Sequence, residues 1–395
     1  MSRRIRLGIV GLGRAAAQML PSLAAHPEIA IVACADPNPA ARARFIAEFS
    51  GAAFASAQEL CSRGEIDAAY VATPHQCHRD DVVTLSAARK HVLVEKPMAL
   101  SVEDCRAMTD AARRAGIVLV VGHTHGFDPA VMLMRSLIAS GEFGALRMIT
   151  NFAYTSFLYR PRRPEELDTA LGGGIFYNQV PHQIEIARAL DHNPIRSVRA
   201  IAGRWDPSRA TEGALAALVE FADGVAASLV YSGYDHFDSD ELHFWIGEMG
   251  EEKKPEYGRA RRALKGVSNE AVLREASGYA GSGSRPGGAG SGHMHHPHFG
   301  VLIASCEGAD LRPSADGVLI YEEKGMREIG IPQARAYPNK DAAVDEFANA
   351  VLRGVVPLHD GVWGTSTMAA VAGLVESARA RREIMLAGEV SAVKS

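Results

Sequence analysis

The stretch GIVGLGRAAA, residues 8–17, decides the fold that we expect for this chain. It places Gly11, Gly13 and Ala16 in a G-x-G-x-x-A pattern, after an apolar run and before a helix-like stretch. In a strand–turn–helix context the first glycine permits a tight turn and the second lets a pyrophosphate approach the backbone. The small third residue lets the helix pack on the strand. The pattern predicts a dinucleotide site, provided that its surroundings agree.

An acidic residue further along supplies that agreement. The run IAIVACAD ends in Asp36, about twenty residues after the glycines, where such a site places a carboxylate. This carboxylate suits the ribose 2′-hydroxyl and repels a 2′-phosphate, and the next residue is Pro37 rather than an arginine. We therefore predict NAD as the cofactor, in preference to NADP. The predicted contacts in this part of the chain are Gly11, Gly13, Arg14, Ala16 and Asp36.

The first 122 residues alternate apolar strands with helical patterns, which predicts a parallel sheet covered on both faces. We expect helices near 14–24, 39–49, 78–89 and 101–115. The fold class that we predict is α/β, with an N-terminal Rossmann domain (1–122) and a C-terminal α+β domain (123–395) whose open sheet is mostly antiparallel. An inserted region at about 249–298 combines a charged helical part with Gly- and Ser-rich chain.

Composition excludes several classes of protein. With 395 residues, 47% apolar residues and a net charge of −4, the chain is typical of a globular two-domain protein with no nucleic-acid partner. We predict no membrane span, because the apolar runs are too short. Glycines and Arg14 interrupt the basic N-terminal stretch, which favours a strand over a signal peptide. Five scattered cysteines predict a reducing cytoplasm and no cysteine metal site.

Two motifs follow predicted parallel strands, at the sheet edge where ligands of such folds bind. They are VATPHQCH (71–78) and VEKPMAL (94–100). Lys96 precedes a proline on stiff, extended backbone, so its ammonium group is suited to donate a hydrogen bond to a substrate oxygen. Taken singly, Lys96 fits an ordinary surface lysine equally well, and the histidines fit polar groups at a helix start. We predict that this edge holds the cofactor through Thr73, Pro74, His78, Glu95 and Lys96.

The stretch GGGIFYNQVPHQIE, residues 172–185, combines a glycine run with an Asn and a His. We expect the glycines to let the chain pass close to the cofactor. A helix from about Tyr177 would then present Asn178 and His182 on one face. A histidine titrates near neutral pH and is a natural acceptor of a hydroxyl proton, so we predict Lys96, Asn178 and His182 as catalytic. In isolation, a structural histidine in the core explains the pattern as well.

These motifs, in this order and at these separations, resemble the glucose–fructose oxidoreductase / inositol dehydrogenase / MocA family over nearly the whole chain. The resemblance implies an NAD(P)-dependent oxidoreductase acting on CH–OH or CH–CH groups, with Lys96 and His182 working together beside the nicotinamide. Asn178 stands where the family usually has Asp, which leaves it as a neutral hydrogen-bonding group. The stretch GHTHGFDP also departs from the family, so His123 and His125 receive no role.

Within the family, LYRPRRPEELDTALGGG, YSGYDHFDSDE and ADLRPS resemble stretches of the phthalate cis-dihydrodiol dehydrogenases. This resemblance implies oxidation of a cis-dihydrodiol of the phthalate 4,5-cis-dihydrodiol type to the catechol. Guanidinium groups bind carboxylates, so Arg160, Arg162 and Arg163 are predicted substrate contacts. A solvated turn balanced by Glu165 and Glu166 explains the arginines equally well.

Other classes of function remain open at this stage. The main alternative is an NAD-dependent sugar or polyol (inositol-like) dehydrogenase, which does not need the arginines. A glycoside-cleaving enzyme that reduces NAD only transiently is a third class. A nucleotide-sensing repressor is a fourth, and the presence of both Lys96 and His182 argues against it.

The stretch HMHHPHFG holds four histidines, which raises the question of a metal. Neighbouring chain offers no carboxylate at ligand spacing, so we predict a loop at the substrate cleft without a metal, with His298 facing the substrate. The open sheet predicts a homodimer or homotetramer, because one of its faces needs covering. A small-molecule substrate completes the predicted set of partners.

Overall fold

The computed structural model describes residues 4–281, 294–333 and 335–386. His293 and part of the predicted insertion therefore lie outside the described residues. The chain divides into two compact units. Unit 1 comprises Met1–His123, Ala271–Gly288 and Lys340–Met368, and unit 2 comprises the remaining segments, as far as each is described. The predicted boundary at residue 122 lies beside the end of the first segment, whereas the two later segments of unit 1 were not predicted.

Unit 1 contains a parallel sheet. Within the described residues its strands are β1 (Ile5–Val10), β2 (Ile29–Ala35), β3 (Ala52–Phe54), β4 (Ala68–Val71), β5 (His91–Glu95) and β6 (Leu119–Gly122). They pair in parallel in the order β3-β2-β1-β4-β5-β6. The strand order reverses between β1 and β4, and ligands of such sheets bind at that point. The predicted Rossmann sheet is confirmed.

Three helices in the first segment of unit 1 begin after a side-chain cap. The segments after the first five strands form α1 (Arg14–Ala25), α2 (Pro39–Phe49), α3 (Ala57–Arg63), α4 (His78–Ala87) and α5 (Val102–Ala115). Asn38 accepts the N–H of Ala40 at the start of α2, and Ser101 accepts that of Asp104 at the start of α5. The four helices predicted in this part of the sequence are confirmed, while α3 and the short strand β3 were missed.

The core of unit 1 draws on distant parts of the chain. Leu7 and Ile9 of β1, Tyr70 of β4 and Phe45 of α2 are fully buried together. Tyr279, Val344, Phe347 and Ala348 belong to the same apolar cluster. Tyr279 also donates its hydroxyl to the Glu48 carboxylate of α2, at 2.6 Å. Late segments of the chain therefore complete the core that the first strands begin.

Unit 2 is built on a larger sheet. Its described strands are β7 (Leu146–Tyr154), β8 (Ile195–Gly203), β9 (Ala214–Phe221), β10 (Ala226–Ser232), β11 (Val301–Cys306), β12 (Asp310–Pro313), β13 (Gly317–Glu322), β14 (Gly325–Gly330) and β15 (Ile384–Met385). The order is β14-β13-β12-β11-β7-β10-β9-β8-β15. Neighbours are antiparallel except for β7 and β10, which are parallel. The mostly antiparallel sheet that the sequence predicts is confirmed.

The remaining helices follow β6 in the chain. They are α6 (Pro129–Ser140), α7 (Gly174–Asn178), α8 (Val180–Leu190), α9 (Arg259–Leu264), α10 (Glu270–Ala276), α11 (Pro338–Arg353) and α12 (Gly361–Ala380). Every residue of α8 is buried, including His182, Gln183 and Glu185, so this helix lies inside unit 2. Among the described helices, none is long and apolar enough to cross a membrane.

Candidate active site

The glycine motif of unit 1 has the geometry of a nucleotide-binding turn. Gly11 has φ +88°, and a Cβ added there would lie 2.7 Å from the backbone nitrogen of Thr73. Gly13 precedes α1 without a side-chain cap, and its Cβ position meets nothing nearer than 3.9 Å. Arg14 is the first residue of α1, and Ala16 of the same helix is completely buried. The first N–H groups of α1 thus have room for a pyrophosphate, which fits NAD.

Asp36 follows β2 and turns its carboxylate toward this motif. One oxygen accepts the backbone N–H of Leu12 at 2.6 Å, and the other accepts that of Asn38 at 2.7 Å. Arg42 of α2 donates to the carbonyl oxygens of Asp36 and Pro37, at 2.7 and 3.0 Å. Sequence reasoning missed Arg42, although it lies one helical turn beyond the start of α2. The guanidinium fixes the backbone that carries the predicted ribose ligand.

His78 connects the two motifs that follow β4 and β5. Its ring is completely buried, with Nδ1 at 3.0 Å from the carbonyl oxygen of Pro97 and Nε2 at 3.0 Å from that of Thr73. Burial lowers the pKa of His78, and these backbone contacts oppose that effect. Thr73 donates its hydroxyl to Asp81 at 2.7 Å. His78 therefore holds the backbone around Pro74 and around Lys96, and its ring nitrogens face the protein.

Glu95 and Lys96 lie at the end of β5, both half-buried. The Glu95 carboxylate accepts the hydroxyl of the fully buried Tyr70. Burial raises the pKa of Glu95 above its usual value. The hydrogen bond from Tyr70 and the charges of Lys96 and Lys340 oppose this rise without cancelling it. Lys340 begins the last segment of unit 1 and interacts electrostatically with Glu95, an interaction that the sequence does not predict. Two ammonium groups thus act electrostatically on this carboxylate at the sheet edge.

The glycine run of unit 2 is explained by its own surroundings. Gly172 and Gly174 have φ of +85° and +71°, a region that favours glycine. A Cβ on Gly173 would lie 2.5 Å from the carbonyl oxygen of Glu166, and one on Gly174 would lie 2.0 Å from Oγ1 of Thr211. Close packing inside unit 2 therefore requires these residues. Their predicted approach to the cofactor stays a prediction.

The single helix predicted from about Tyr177 is wrong, because the chain breaks at Gln179 into α7 and α8. Pro181 stands in the first turn of α8, where its missing N–H costs nothing. Asn178 ends α7, and its amide donates to the carbonyl oxygens of Gly172 and Gly174, at 3.1 and 2.8 Å. His182 lies in the first turn of the next helix. Asn178 therefore shapes the turn, while its predicted catalytic role is untested.

His182 lies in an aromatic cluster that the sequence did not predict. Its ring centroid is 4.9 Å from that of Phe299 and 4.7 Å from that of His125, to which it is perpendicular. His125 places Nδ1 at 2.8 Å from the Asp128 carboxylate and Nε2 at 3.7 Å from that of Glu248. Burial lowers the pKa of His125, but the two carboxylates outweigh burial and raise it to about 9. The cluster therefore sets a cationic ring beside His182.

The three predicted arginines differ in the groups that their guanidinium groups contact. Arg160 lies in the electrostatic field of Tyr231 and places a guanidinium nitrogen 3.4 Å from Glu248. Arg162 is buried, donates to the Phe157 carbonyl oxygen at 2.7 Å and packs over the Phe157 ring. Arg163 pairs with Glu165 and Glu166 at the surface. The alternative in which glutamates balance a solvated turn thus describes Arg163. Arg162 instead stabilises the loop through its contacts with Phe157.

His298 is buried beside Phe299, with its ring nitrogens near backbone carbonyls. Nε2 lies 2.9 Å from the Ile246 oxygen and Nδ1 lies 3.2 Å from that of Gly300. The ring stacks on His243 at 3.8 Å, and Asp240 lies 3.6 Å from Nε2. The geometry shows a connection between segments, while the predicted substrate contact is untested. The described residues contain no group of His, Cys, Asp or Glu arranged to hold a metal.

Two family matches cover most of the chain up to residue 250. Residues 5–123 match the oxidoreductase family with an NAD-binding Rossmann fold, GFO_IDH_MocA, and residues 131–250 match the GFO/IDH/MocA C-terminal domain. The chain belongs to the GFO/IDH/MocA family of oxidoreductases and uses NAD as its cofactor.

Relatives give this membership more detail. The chain is 39% identical, over 95% of both sequences, to 1-carboxy-3-chloro-3,4-dihydroxycyclohexa-1,5-diene dehydrogenase of Comamonas testosteroni. It is 43% identical to a crystal structure of a candidate dehydrogenase from Bordetella bronchiseptica RB50, with a TM-score of 0.91 over 97% of this chain and 100% of that one. Inositol 2-dehydrogenase of Rhizobium meliloti (strain 1021) is 30% identical over 47% of this chain and 54% of its own.

Proposed function

We propose that this protein uses NAD+ to oxidise a cis-dihydroxycyclohexadiene bearing at least one ring carboxylate, giving the catechol. Substrates of the phthalate 4,5-cis-dihydrodiol type fall in this class. The similarity to the Comamonas testosteroni enzyme supports the diene-diol part of the proposal, since that relative is named for a carboxylated dihydroxycyclohexadiene.

One observation carries the proposal on the structural side. The imidazole of His182 lies against flat rings, and within the same unit Tyr231 stacks on Phe299 with ring centroids 6.2 Å apart. The Arg160 guanidinium interacts electrostatically with Tyr231. Flat apolar surfaces suit a planar diene, and a guanidinium suits its carboxylate. A polyhydroxylated sugar calls instead for many hydrogen-bonding groups.

The reaction assigns one role to each of three side chains. His182 accepts the proton of the hydroxyl group under oxidation, and the Lys96 ammonium donates a hydrogen bond to the same oxygen. Arg160 binds the ring carboxylate and orients the diol. When bound, NAD+ supplies the acceptor for the hydride that leaves the carbinol carbon. The hydroxyketone product then tautomerises: the remaining carbinol carbon loses its proton, the carbonyl oxygen gains one, and the ring becomes the aromatic catechol, which makes the oxidation favourable.

The cofactor assignment follows the geometry of unit 1. The N–H groups after Gly13 bind the pyrophosphate, and Asp36 accepts the hydroxyl groups of the adenosine ribose. The loop at Thr73 and Pro74 and the end of β5 at Glu95 border the nicotinamide half. His78 stabilises these loops, because its ring nitrogens lie within hydrogen-bond distance of their backbone carbonyl oxygens.

Formation of NADH with a substrate panel tests the proposal. The panel contains cis-dihydrodiols with two, one or no ring carboxylates, together with inositols and hexoses. We expect turnover on the carboxylated dihydrodiols and much weaker turnover on the uncharged one. Turnover confined to inositols or hexoses would replace the proposal with the polyol alternative.

Variants then test the chemical roles. His182→Gln and Lys96→Met are expected to lower kcat by about 10²- to 10⁴-fold while NAD+ still binds, as general acid–base groups do. Lys324→Met, at an exposed turn between β13 and β14, is the matched control. Near-normal turnover by His182→Gln would remove that residue from its role.

A further inference from the structure

His125 is the cluster member with the most constrained surroundings. It lies in a short helical turn, His125–Phe127, and its side chain is almost completely buried. Its ring stands perpendicular to that of His182, with centroids 4.7 Å apart, and both rings pack on Phe299 at 4.9 Å. A ring packed in this way limits the orientations available to its neighbour.

The charged groups around His125 come from several segments. Asp128, three residues on, approaches Nδ1 at 2.8 Å, and Glu248 approaches Nε2 at 3.7 Å. Asn339 donates to the other oxygen of Asp128 at 2.8 Å, and His298 interacts electrostatically with the same carboxylate. Glu248 in turn pairs with Arg160. The two carboxylates face both nitrogens of the His125 ring, an arrangement that favours the imidazolium form.

We propose that His125 is a positioning residue for His182: it fixes the His182 ring by packing and, as a cation held by Asp128 and Glu248, keeps His182 neutral. A neutral imidazole is the form that accepts a hydroxyl proton, and a cation within about 4–6 Å disfavours a second positive charge. The inference rests on the proposed function insofar as His182 is the proton acceptor. It gives His125 a role that its sequence context does not predict.

Two measurements test the inference, and one of them needs no substrate. Imidazole NMR signals of His182, identified by their loss in His182→Gln, are titrated in the wild type and in His125→Gln. Glutamine keeps an N–H donor for Asp128 but carries no charge, so the fold is expected to persist. The acid limb of kcat/KM against pH, with NAD+ saturating, provides the second measurement.

Matched variants separate charge from packing. His125→Asn also removes the charge and carries a shorter amide side chain, so it is the second variant if His125→Gln does not fold. His295→Gln is the control, because His295 has a carboxylate partner of its own, Asp316 at 3.0 Å.

We expect the His182 titration and the acid limb to move upward by roughly one pH unit or more in His125→Gln and in His125→Asn, and not in His295→Gln. An unmoved His182 titration in a folded His125→Gln or His125→Asn protein would overturn the inference. If no dihydrodiol is oxidised but the titration moves, the proposed function fails and the electrostatic role of His125 stands.

Discussion

The Asp36 carboxylate is bonded to the backbone N–H of Leu12 at 2.6 Å, inside the glycine motif itself. The acidic residue at the end of β2 and the turn after β1 thus form one hydrogen-bonded structure. The carboxylate is held in position before any ribose arrives, which limits the ordering that cofactor binding requires.

Asp36→Ala is expected to raise the KM for NAD+ by about 10- to 100-fold, the value of a lost hydrogen bond to a charged group. Activity with NADP+ should fall far less or increase, because the repulsion of a 2′-phosphate disappears. Steady-state kinetics with both cofactors measure this, with Asp110→Asn, on the outer part of α5, as control. An unchanged ratio of kcat/KM for the two cofactors would contradict the assignment.

Substitutions of Arg160 and Arg163 should differ in their effect on the KM for the substrate. Arg160→Met is expected to raise the KM for a carboxylated dihydrodiol by about 10- to 100-fold, since a hydrogen-bonded ion pair with substrate is lost. Arg163→Met removes a surface cation already paired with Glu165 and Glu166, so its KM should stay near the wild-type value. Equal effects of the two variants would argue against a specific contact at Arg160.

Gly174→Ala should destabilise the protein. The substitution forces an L side chain to φ +71° and places its Cβ 2.0 Å from Oγ1 of the buried Thr211. We expect a loss of about 1–3 kcal/mol in the free energy of unfolding, measured by urea denaturation. Gly330→Ala is the control, because its added Cβ meets no atom within 4 Å. Equal stability of the two variants would show that the turn is not packed as described.

The free energy of unfolding should depend on pH through His125. Burial lowers its pKa, but Asp128 and Glu248 raise it to about 9 in the folded protein, above the unfolded value of about 6.5. The folded state therefore binds the extra proton between these values. This stabilisation is complete below about pH 6.5 and is lost as the pH rises through about 9, by at most about 1.4 kcal/mol per pH unit.

Urea unfolding across this pH window measures the effect in the wild type and in His125→Gln. The slope attributable to His125 should vanish in the variant. Identical slopes in both proteins would mean that His125 is not charged in the folded state.

The parallel sheet could be predicted because its signals are local. Gly11, Gly13 and Asp36 lie in one βαβ segment, and apolar strands alternate with helices through the first segment of unit 1. The break at Gln179 was predictable in principle, since Pro181 fits the first turn of a helix better than its interior. The i to i+3 spacing of His125 and Asp128 was likewise a local signal that went unused.

Other features of the candidate site depend on tertiary contacts. Glu248 reaches His125 from more than a hundred residues away, and Lys340 reaches Glu95 from a still greater distance. No periodicity or motif links such pairs, because their proximity is set by the packing of whole strands and helices. The same limit explains why three neighbouring arginines looked equivalent until their partners were known.

The late residues in the core of unit 1 have a consequence for biosynthesis. Val344 and Phe347 pack against the same core as β1, but they are translated more than three hundred residues after it. Until these residues are translated, the nascent nucleotide-binding unit exposes apolar surface, a state prone to aggregation. A gene fragment ending at His123 should consequently give a poorly soluble product, and chaperones should matter most for this protein while it is still being made.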